Sequence, residues 1–444
     1  MKKIQKFKKK KVNKGKTPKK SVKKKKSVKK TSQNKGKFPS YQSLGKDEQN
    51  QESLSDFHVH SDASIDGFHD MDTLIKRARF FKVDNLSITD HNVLDPQIKY
   101  LKKHHCDLKL AKHDLDGVNF IPGTEITCRV EGVKNFKGND LKVHLLVLSP
   151  TLTPSSKLVQ LMRIKHGNDL AVDLGMLLNV AKYKGIQLDN HSIKQFIVNK
   201  RIKDNGFSSF GKDDVMEYFK KEKITIAKSM QKFMNIFDVI PRAERLNLSA
   251  EDVIALAHDA GALCIMAHPM VNLDRTNNKE EAVYTLLDYE IDGFEMMTKH
   301  MNGSTFELIT GACKDYNPRN NILYTGGSDF HVYSESCMLG RFGKLPITSK
   351  SQEPVLKEID RLNQVREQNG ITHRRYRPIL QSDLDDILDK YSKRAHEINE
   401  IYTEKQQNLS VIDEDESFSH HTEMTYIDYL KDCGVYDDGM SEEM

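Results

Sequence analysis

The stretch SDFHVH at residues 55–60 decides the fold, together with NLSITDH at residues 85–91 and the intervening MDTLIKRARFFK at residues 71–82. The outer two are short β-branched and aromatic runs. The middle one has apolar residues at the spacing of one helical face: Leu74, Ile75, Ala78 and Phe81. Strand, helix and strand in this order favour parallel pairing, because parallel neighbours need a long crossover. With further strands in NFIPGTEIT (119–127) and LKVHLLVL (141–148), the sequence predicts an α/β fold.

Histidine or acidic residues occur at each of seven predicted strands. We expect these residues to lie at the exits of the strands. They are His58, His60, His91, Glu125, His144, His268, Glu295, Asp329 and His331. Imidazole and carboxylate are the usual protein ligands of divalent transition metals. In α/β barrels, catalytic residues project from the C-terminal ends of several different strands. The pattern therefore predicts a multi-metal site at the mouth of a barrel.

A lysine-rich segment begins the chain. Residues 1–37 contain 19 lysines and no acidic residue, so the remainder carries 50 basic and 63 acidic residues, a net charge of −13. Such a segment cannot bury enough apolar surface to fold, and we expect residues 1–50 to form a disordered tail. Its charge suits contact with RNA or DNA through counterion release. Two alternatives are a solubility tail and a tail that folds against the acidic C-terminal end.

Two further segments are distinguished from the strand-rich region, residues 51–349. Residues 151–250 read as helices and predict a helical insert over the barrel mouth. The pattern Ser249-Ala250-Glu251-Asp252 predicts a capping box for the next helix, and Gly261 supplies the stop of that helix. Residues 350–444 predict a helical extension that ends in a flexible acidic segment. One helical face there contains Leu384, Ile387, Leu388, Tyr391, Ala395 and Ile398.

Composition excludes some classes of protein. No apolar run reaches the roughly 18 residues that span a bilayer, and the N-terminal residues lack the apolar core of a signal peptide. The cysteines are scattered without a CxxC pair: Cys106, Cys128, Cys264, Cys313, Cys337 and Cys433. This pattern argues against a zinc ribbon or a disulfide framework and favours reduced thiols. We therefore expect a cytoplasmic protein without membrane contact.

Five separated motifs resemble, in order, those of the PHP family of metal-dependent phosphoesterases: HVH (58–60), TDH (89–91), GTE (123–125), AHP (267–269) and SDFH (328–331). GSDFH, followed by Cys337, LGR (339–341) and Leu345-Pro346, is similar to the bacterial branch called RNase AM, or 3′,5′-nucleotide bisphosphate phosphatase. The resemblance covers about residues 54–346. It implies a distorted (β/α)7 PHP barrel with a trinuclear site, usually of manganese.

The resemblance also implies the metal ligands, carried over by position as His58, His60, His91, Glu125, His144, His268, Asp329 and His331. The family has a ninth ligand, an aspartate five residues after the second histidine. Here HSDASIDG (60–67) moves the matching Asp66 to six residues, and Asp62 is the alternative. We expect two to three divalent ions per chain, Mn²⁺ by resemblance, with Zn²⁺ or Fe²⁺ as alternatives.

Three divalent ions would provide the chemistry without a nucleophilic side chain. Bound ions lower the pKa of water from about 15.7 to near 7, which gives a hydroxide nucleophile at neutral pH. The candidate catalytic residues are His268, His331 and Asp329. Either histidine could protonate the leaving alkoxide, and metal-bound water is an equal alternative.

Three residues are candidates for substrate binding: Arg341, Arg163 and Glu295. Arginine suits a bidentate grip on phosphate. Arg341 has the family's position in LGR, and Arg163 begins a helix in the insert where the family places arginines. The family's second arginine is not evident there, and Lys165 is the candidate to replace it. Glu295 is predicted to contact either the substrate or a metal ligand, and the alternative is an N-cap or a surface acid. For Arg341 and Arg163 the alternative is a surface salt bridge.

The predicted function is metal-dependent hydrolysis of phosphate esters in nucleotides or at the 5′ end of short nucleic acids. One alternative is a small-molecule phosphatase of the histidinol-phosphate type, against which the LGR segment and the insert weigh. Another alternative is a nucleic-acid-binding accessory module, against which the retention of essentially all ligands weighs.

Overall fold

The structure is a computed structural model. It describes residues 52–64, 66–183, 218–219, 221, 245–299, 301–316, 322–332, 338–369 and 380–410. The lysine-rich tail, most of the helical insert after Tyr183, Cys337 and the acidic end lie outside the described residues, so the predictions made for them stay predictions.

The described residues form strands and helices in alternation. The strands are β1 (Leu54–Val59), β2 (Val83–Ile88), β3 (His113–Leu115), β4 (Val118–Lys134), β5 (Asp140–Leu148), β6 (Leu248–Ser249), β7 (Leu263–Met266), β8 (Gly293–Met297), β9 (Leu323–Gly326), β10 (Arg341–Phe342) and β11 (Leu345–Pro346). The helices are α1 (Met71–Phe80), α2 (Asp95–Lys103), α3 (Lys157–Tyr183), α4 (Ala250–Asp259), α5 (Pro269–Leu273), α6 (Lys279–Asp288), α7 (Gly303–Tyr316), α8 (Glu353–Asn369) and α9 (Gln381–Ser410). The predicted α/β class is confirmed.

The main sheet orders its strands β1-β2-β4-β5-β7-β8-β9. Strand β2 pairs in parallel with β1 and β4, and strand β8 pairs in parallel with β7 and β9, as predicted. Strand β5 is antiparallel to both neighbours, β4 and β7. A short hairpin at residues 135–139 joins β4 to β5, and a connection this short allows only antiparallel pairing.

The two ends of the sheet approach each other. An isolated parallel bridge joins Val59, the last residue of β1, to Phe330, four residues beyond β9. The His60 N–H donates to the Phe330 carbonyl at 2.8 Å beside it. A mixed α/β fold with a central, mostly parallel sheet is therefore established. The closed seven-stranded barrel stays a prediction, which this bridge supports.

Apolar side chains pack on both faces of the sheet. On one face, helices α1 and α4 contribute Leu74, Ile75, Val253 and Leu256 to a large buried cluster. On the other face, a second cluster includes Phe57, Ile121, Leu146, Ile265 and three residues of α8, namely Val355, Ile359 and Leu362. Helix α8 thus belongs to the core of the strand-rich region, although its sequence lies beyond residue 349.

The start of α4 differs from the predicted capping box. The helix begins after Ser249, as expected, but the Ser249 side chain forms no capping hydrogen bond. Instead the Ser249 N–H donates to the Tyr391 hydroxyl at 2.7 Å, and that hydroxyl donates to Asp252 at 2.6 Å. Tyr391 from α9 therefore lies between the two groups that a capping box would pair directly. Gly261 ends the helix with φ of 70°, as predicted.

Helix α9 packs against α3, the described part of the insert. The predicted apolar face is buried, with Leu384, Tyr391, Ala395 and Ile398 in the same cluster as Leu158 and Met162. An ion pair between Lys157 and Asp385 and a 3.2 Å hydrogen bond from Asn168 to Asn399 flank this contact. In the part of the chain that the structure describes, no helix has the length and hydropathy needed to cross a membrane.

Candidate metal centre

The predicted ligands converge on one end of the sheet. They form three overlapping groups whose possible ligand atoms lie within 4.8 Å of one another. The groups are His60, Asp66, His91 and His331; His58, His60 and Asp329; and His58, Glu125 and His268. His144 joins them through Glu125, at 2.6 Å. All nine candidate ligands are therefore brought together, although they are spread over more than 270 residues of sequence.

Glu125 lies at the centre of this set and is buried. Its Oε1 is 2.6 Å from Nδ1 of His144 and 2.9 Å from Nε2 of His268. Its Oε2 is 3.1 Å from Nδ1 of His91 and 3.3 Å from Nε2 of both His58 and His60. Each oxygen faces a different set of imidazoles, so the Glu125 carboxylate could help to hold divalent ions through either oxygen.

The strands deliver these ligands in different ways. Glu125 lies in the middle of β4, which continues into the hairpin, and His144 lies before the apolar half of β5. The expectation that every ligand sits at a strand exit was therefore wrong for β4 and β5. Because β5 runs antiparallel to its neighbours, its N-terminal half reaches the end of the sheet where parallel strands finish.

Asp66 joins the cluster in spite of the extra residue before it. Its Oδ2 is 3.1 Å from Nε2 of His331 and 3.5 Å from Nε2 of His91. Gly67 follows directly, and a Cβ on this residue would lie 1.7 Å from the Ser61 carbonyl oxygen. The loop therefore folds back on itself tightly and returns Asp66 to the ligands. Among the described residues, Asp62 is not a member of any of the three groups.

The donor set fits divalent metal ions. Nε2 of His58 and Nε2 of His60 lie 3.1 Å apart, so both atoms could bind one cation. Nε2 of His144 and Oδ1 of Asp66 are buried without a hydrogen-bond partner within the described residues. Unpartnered buried polar atoms are costly and call for a ligand. Nitrogen and carboxylate donors without thiolate suit Mn²⁺, Zn²⁺ or Fe²⁺.

Two of the candidate ligands have a backbone conformation that L-residues rarely adopt. The φ angle is 27° at His268 and 52° at Asp329. Such conformations cost about 1–3 kcal/mol each and persist where the surrounding structure fixes them, often at functional sites. Gly327 allows a further close approach, because a Cβ there would lie 2.3 Å from both Glu295 and His58.

Buried acids behind the cluster orient the ligands. Glu295 is fully buried; its Oε1 lies 3.0 Å from Nδ1 of His58, and its Oε2 accepts the His268 N–H at 2.6 Å. Asp90 accepts two hydrogen bonds from Ser61, one from its N–H and one from its hydroxyl, each at 2.7 Å. Both Glu295 oxygens are thus engaged by ligand residues. These contacts place Glu295 against two candidate metal ligands, and substrate binding by Glu295 stays a prediction.

Electrostatic coupling is strong within the cluster. Burial would lower the pKa of His60, but hydrogen bonds to Asp329 and Glu125 raise this pKa to about 9. Burial would raise the pKa of Asp329, but its hydrogen bond with His60 and the charge of His58 hold it well below the usual range. Burial lowers the pKa of His144 to about 4, in spite of Glu125. Burial would lower the pKa of His58, but the charges of Glu295 and Glu125 raise it well above its usual value, so without metal the carboxylates favour protonated imidazoles.

The comparison with known proteins decides the family. A model of the PHP domain matches residues 56–295, more than half of the chain. The chain belongs to the PHP domain family. The matched range contains seven of the nine candidate ligands, while Asp329 and His331 lie beyond it. This membership and the cluster together support a metal-dependent hydrolase.

Two solved structures are similar to the PHP protein. A candidate metal-dependent phosphoesterase from Bifidobacterium adolescentis is 18% identical, with a TM-score of 0.48, over 69% of this chain and 98% of that chain. An amidohydrolase from Chromobacterium violaceum, with bound sulfate and without metal, is 19% identical, with a TM-score of 0.46, over 70% of this chain and 97% of that chain. No curated protein sequence matches the chain significantly.

The predicted phosphate-binding arginines lie outside the ligand cluster. Arg163 forms a bidentate ion pair with Asp95 at 2.8–3.1 Å, just beyond the loop that carries His91. Arg341 lies in the β10–β11 hairpin, next to Gly340, which packs on Leu54 at the start of β1. Within the described residues, no hydrogen bond or ion pair joins Arg341 to the cluster. Substrate binding by these two arginines stays a prediction.

A group of cations lies beside the cluster, and the sequence analysis singled out only Lys165 among them. Lys142 pairs with Arg129 across the β4–β5 hairpin and shares a face with His144, two residues later. Burial and the nearby charges of Arg275 and Lys165 lower the pKa of Lys142. We call Arg129, Lys142, Lys165 and Arg275 the basic wall. Lys142 lies two residues before His144 on one strand, and this spacing was the sequence signal that could have identified Lys142.

Proposed function

We propose that this PHP protein is a phosphoesterase that hydrolyses phosphate esters in nucleotides or at the 5′ end of short nucleic acids. The observation that carries the proposal is the convergence of all nine predicted ligands around Glu125. Bound divalent ions would supply an activated water and neutralise phosphate charge. We propose Mn²⁺ as the metal, with two to three ions per chain.

The chain's own residues would position the ester. Glu295 and Asp90 hold His58 and the His60–Ser61 segment in place from behind. The basic wall flanks the cluster on the side of the β4–β5 hairpin, where it would attract a polyanionic substrate. This wall favours a nucleotide or an oligonucleotide over a substrate with one phosphate and a cationic group, such as histidinol phosphate.

We also propose membership of the RNase AM or 3′,5′-nucleotide bisphosphate phosphatase branch. GSDFH at residues 327–331 and LGR at residues 339–341 support this assignment. Whether the protein acts as a phosphatase or as an exonuclease is the question that substrate tests would answer.

The test combines metal analysis with hydrolysis assays. Protein purified without chelator should contain two to three divalent ions per chain. With Mn²⁺ it should release phosphate from adenosine 3′,5′-bisphosphate faster than from histidinol phosphate, and EDTA should abolish the release. A 5′-phosphorylated oligonucleotide distinguishes terminal phosphate removal from nucleotide release. Glu125→Gln should lower metal content and activity together. Full activity at near-zero metal content would refute the proposal.

A further inference from the structure

Lys299 is a charged residue at the cluster with no role in the sequence predictions. It lies two residues beyond β8, the strand that carries Glu295. Its ammonium Nζ lies 3.4 Å from Oδ2 of Asp329, and its side chain is 32% exposed. Among the described residues, this is the ion pair between a lysine and the carboxylate of a candidate metal ligand. The ammonium is thus fixed at the cluster and still open to solvent.

The two oxygens of Asp329 face different partners. Oδ1 is 3.5 Å from Nε2 of His60, and 3.6 Å from both Nε2 of His58 and Nδ1 of His331. Oδ2 faces Lys299. One oxygen is therefore directed at the metal-ligating imidazoles while the other holds the ammonium. An ammonium has three N–H donors, so two of them remain for another acceptor beside the ligands.

We propose that Lys299 binds a non-bridging oxygen of the phosphoryl group and favours phosphomonoesters over phosphodiesters. This inference rests on the proposed phosphoesterase function. A monoester carries a charge of about −1.5 to −2 near pH 7, because its second pKa is about 6, whereas a diester carries a single charge. Fixed cations stabilise charge on the transferring phosphoryl group. An ammonium beside Asp329 therefore stabilises the more highly charged ester more strongly.

A purely structural role makes a different prediction. If Lys299 only held Asp329 in position, its removal would disturb the ligand set, and metal content would fall. Hydrolysis of monoesters and diesters would then decline by the same factor. If Lys299 binds the phosphoryl group, metal content stays constant and the two substrates respond unequally.

The experiment compares Lys299→Met with the wild-type protein on p-nitrophenyl phosphate and bis-p-nitrophenyl phosphate, which share a leaving group. We expect kcat/KM for the monoester to fall about 10- to 100-fold, which corresponds to the usual free-energy contribution of a hydrogen bond to a charged group. The diester should lose less activity than the monoester, since its phosphoryl group carries one negative charge where the monoester carries nearly two. Calorimetric binding of inorganic phosphate should weaken more than binding of dimethyl phosphate.

Control variants separate charge from structure. Lys299→Arg should recover part of the monoester activity. Lys279→Met removes a lysine that also pairs with an aspartate, Asp274, away from the cluster, and should change nothing. Metal content and melting temperature are measured for each protein, and Lys299→Gln replaces Lys299→Met if the latter does not fold.

Two results would overturn the inference: equal losses on both esters, or unchanged relative binding of phosphate and dimethyl phosphate. A metal-loaded wild-type protein that hydrolyses neither ester would instead refute the proposed function itself.

Discussion

Glu295 orients two candidate ligands at once, although it is not a ligand itself. Its Oε1 lies 3.0 Å from Nδ1 of His58, and its Oε2 accepts the backbone N–H of His268. If His58 binds metal through Nε2, its Nδ1 carries the proton and donates to Glu295. A carboxylate can accept both hydrogen bonds, whereas an amide offers one acceptor oxygen.

Glu295→Gln is therefore expected to weaken metal binding about 10- to 100-fold while the fold is retained, the usual effect of losing a supporting group. Metal affinity by competition with a chelator measures this. Glu307→Gln, on the exposed surface of α7, is the matched control. Unchanged affinity in Glu295→Gln would show that His58 and His268 are fixed by other contacts.

The sequence leaves Asp66 and Asp62 as alternatives for the ninth metal ligand, and the distances in the structure favour Asp66. Its Oδ2 lies 3.1 Å from His331 and 3.5 Å from His91. Asp66→Asn should lower metal content and reduce activity by at least about 10-fold. Asp62→Asn serves as the control and should be mild. The reverse order of effects would assign the ligand to Asp62.

The coupling of His60 to its carboxylates predicts a pH dependence of metal binding. Hydrogen bonds to Asp329 and Glu125 raise the pKa of His60 to about 9, so metal-free protein holds this proton at neutral pH. A metal ion must displace it, and apparent affinity should therefore rise from pH 7 and level off above about pH 9. Calorimetry in buffers of different ionisation enthalpy counts the protons. Binding without proton release at pH 7.5 would contradict the coupling.

At the scale of secondary-structure elements, the C-terminal helix α9 is part of the folded domain. Tyr391 accepts the Ser249 N–H and donates to Asp252, which joins α9 to the start of α4. Burial and the hydrogen bond to Asp252 raise the pKa of this phenol above its usual value. Leu158 and Met162 of α3 lie in the same buried cluster as the apolar face of α9.

Tyr391→Phe should destabilise the protein by about 1–3 kcal/mol, because a buried N–H and a carboxylate lose their partner. Urea denaturation measures the change in the free energy of unfolding. Tyr289→Phe is the control, since the Tyr289 hydroxyl forms no hydrogen bond within the described residues. Equal stability of Tyr391→Phe and wild type would mean that α9 is held by apolar packing alone.

At the scale of the whole molecule, charge is divided unevenly along the chain. The 19 lysines of residues 1–37 precede a remainder with a net charge of −13. Deleting residues 1–37 should leave turnover of a mononucleotide bisphosphate nearly unchanged, because the metal ligands all lie beyond them. Binding of long RNA or single-stranded DNA should weaken and depend less on salt, since fewer counterions are released. Equal slopes of log affinity against log salt would exclude contact between the tail and nucleic acid.

The sequence alone determined the α/β class of fold and pointed to the histidine and acidic residues that converge in the cluster. Strand and helix periods are local properties, so α1, the start of α4 and the apolar face of α9 could be predicted from residue spacing. Histidine and carboxylate at seven strands also identified the metal site, because these donor types are rare together in a core.

Only the tertiary structure decided how those residues meet. The antiparallel course of β5, the central position of Glu125 among the histidines and the place of Glu295 behind His58 depend on which strands pair. Tyr391 lies between Ser249 and Asp252 from more than 130 residues away, and Lys299 meets Asp329 from a separate strand. Contacts between distant residues are set by packing and pairing across the whole sheet, which local periodicity does not encode.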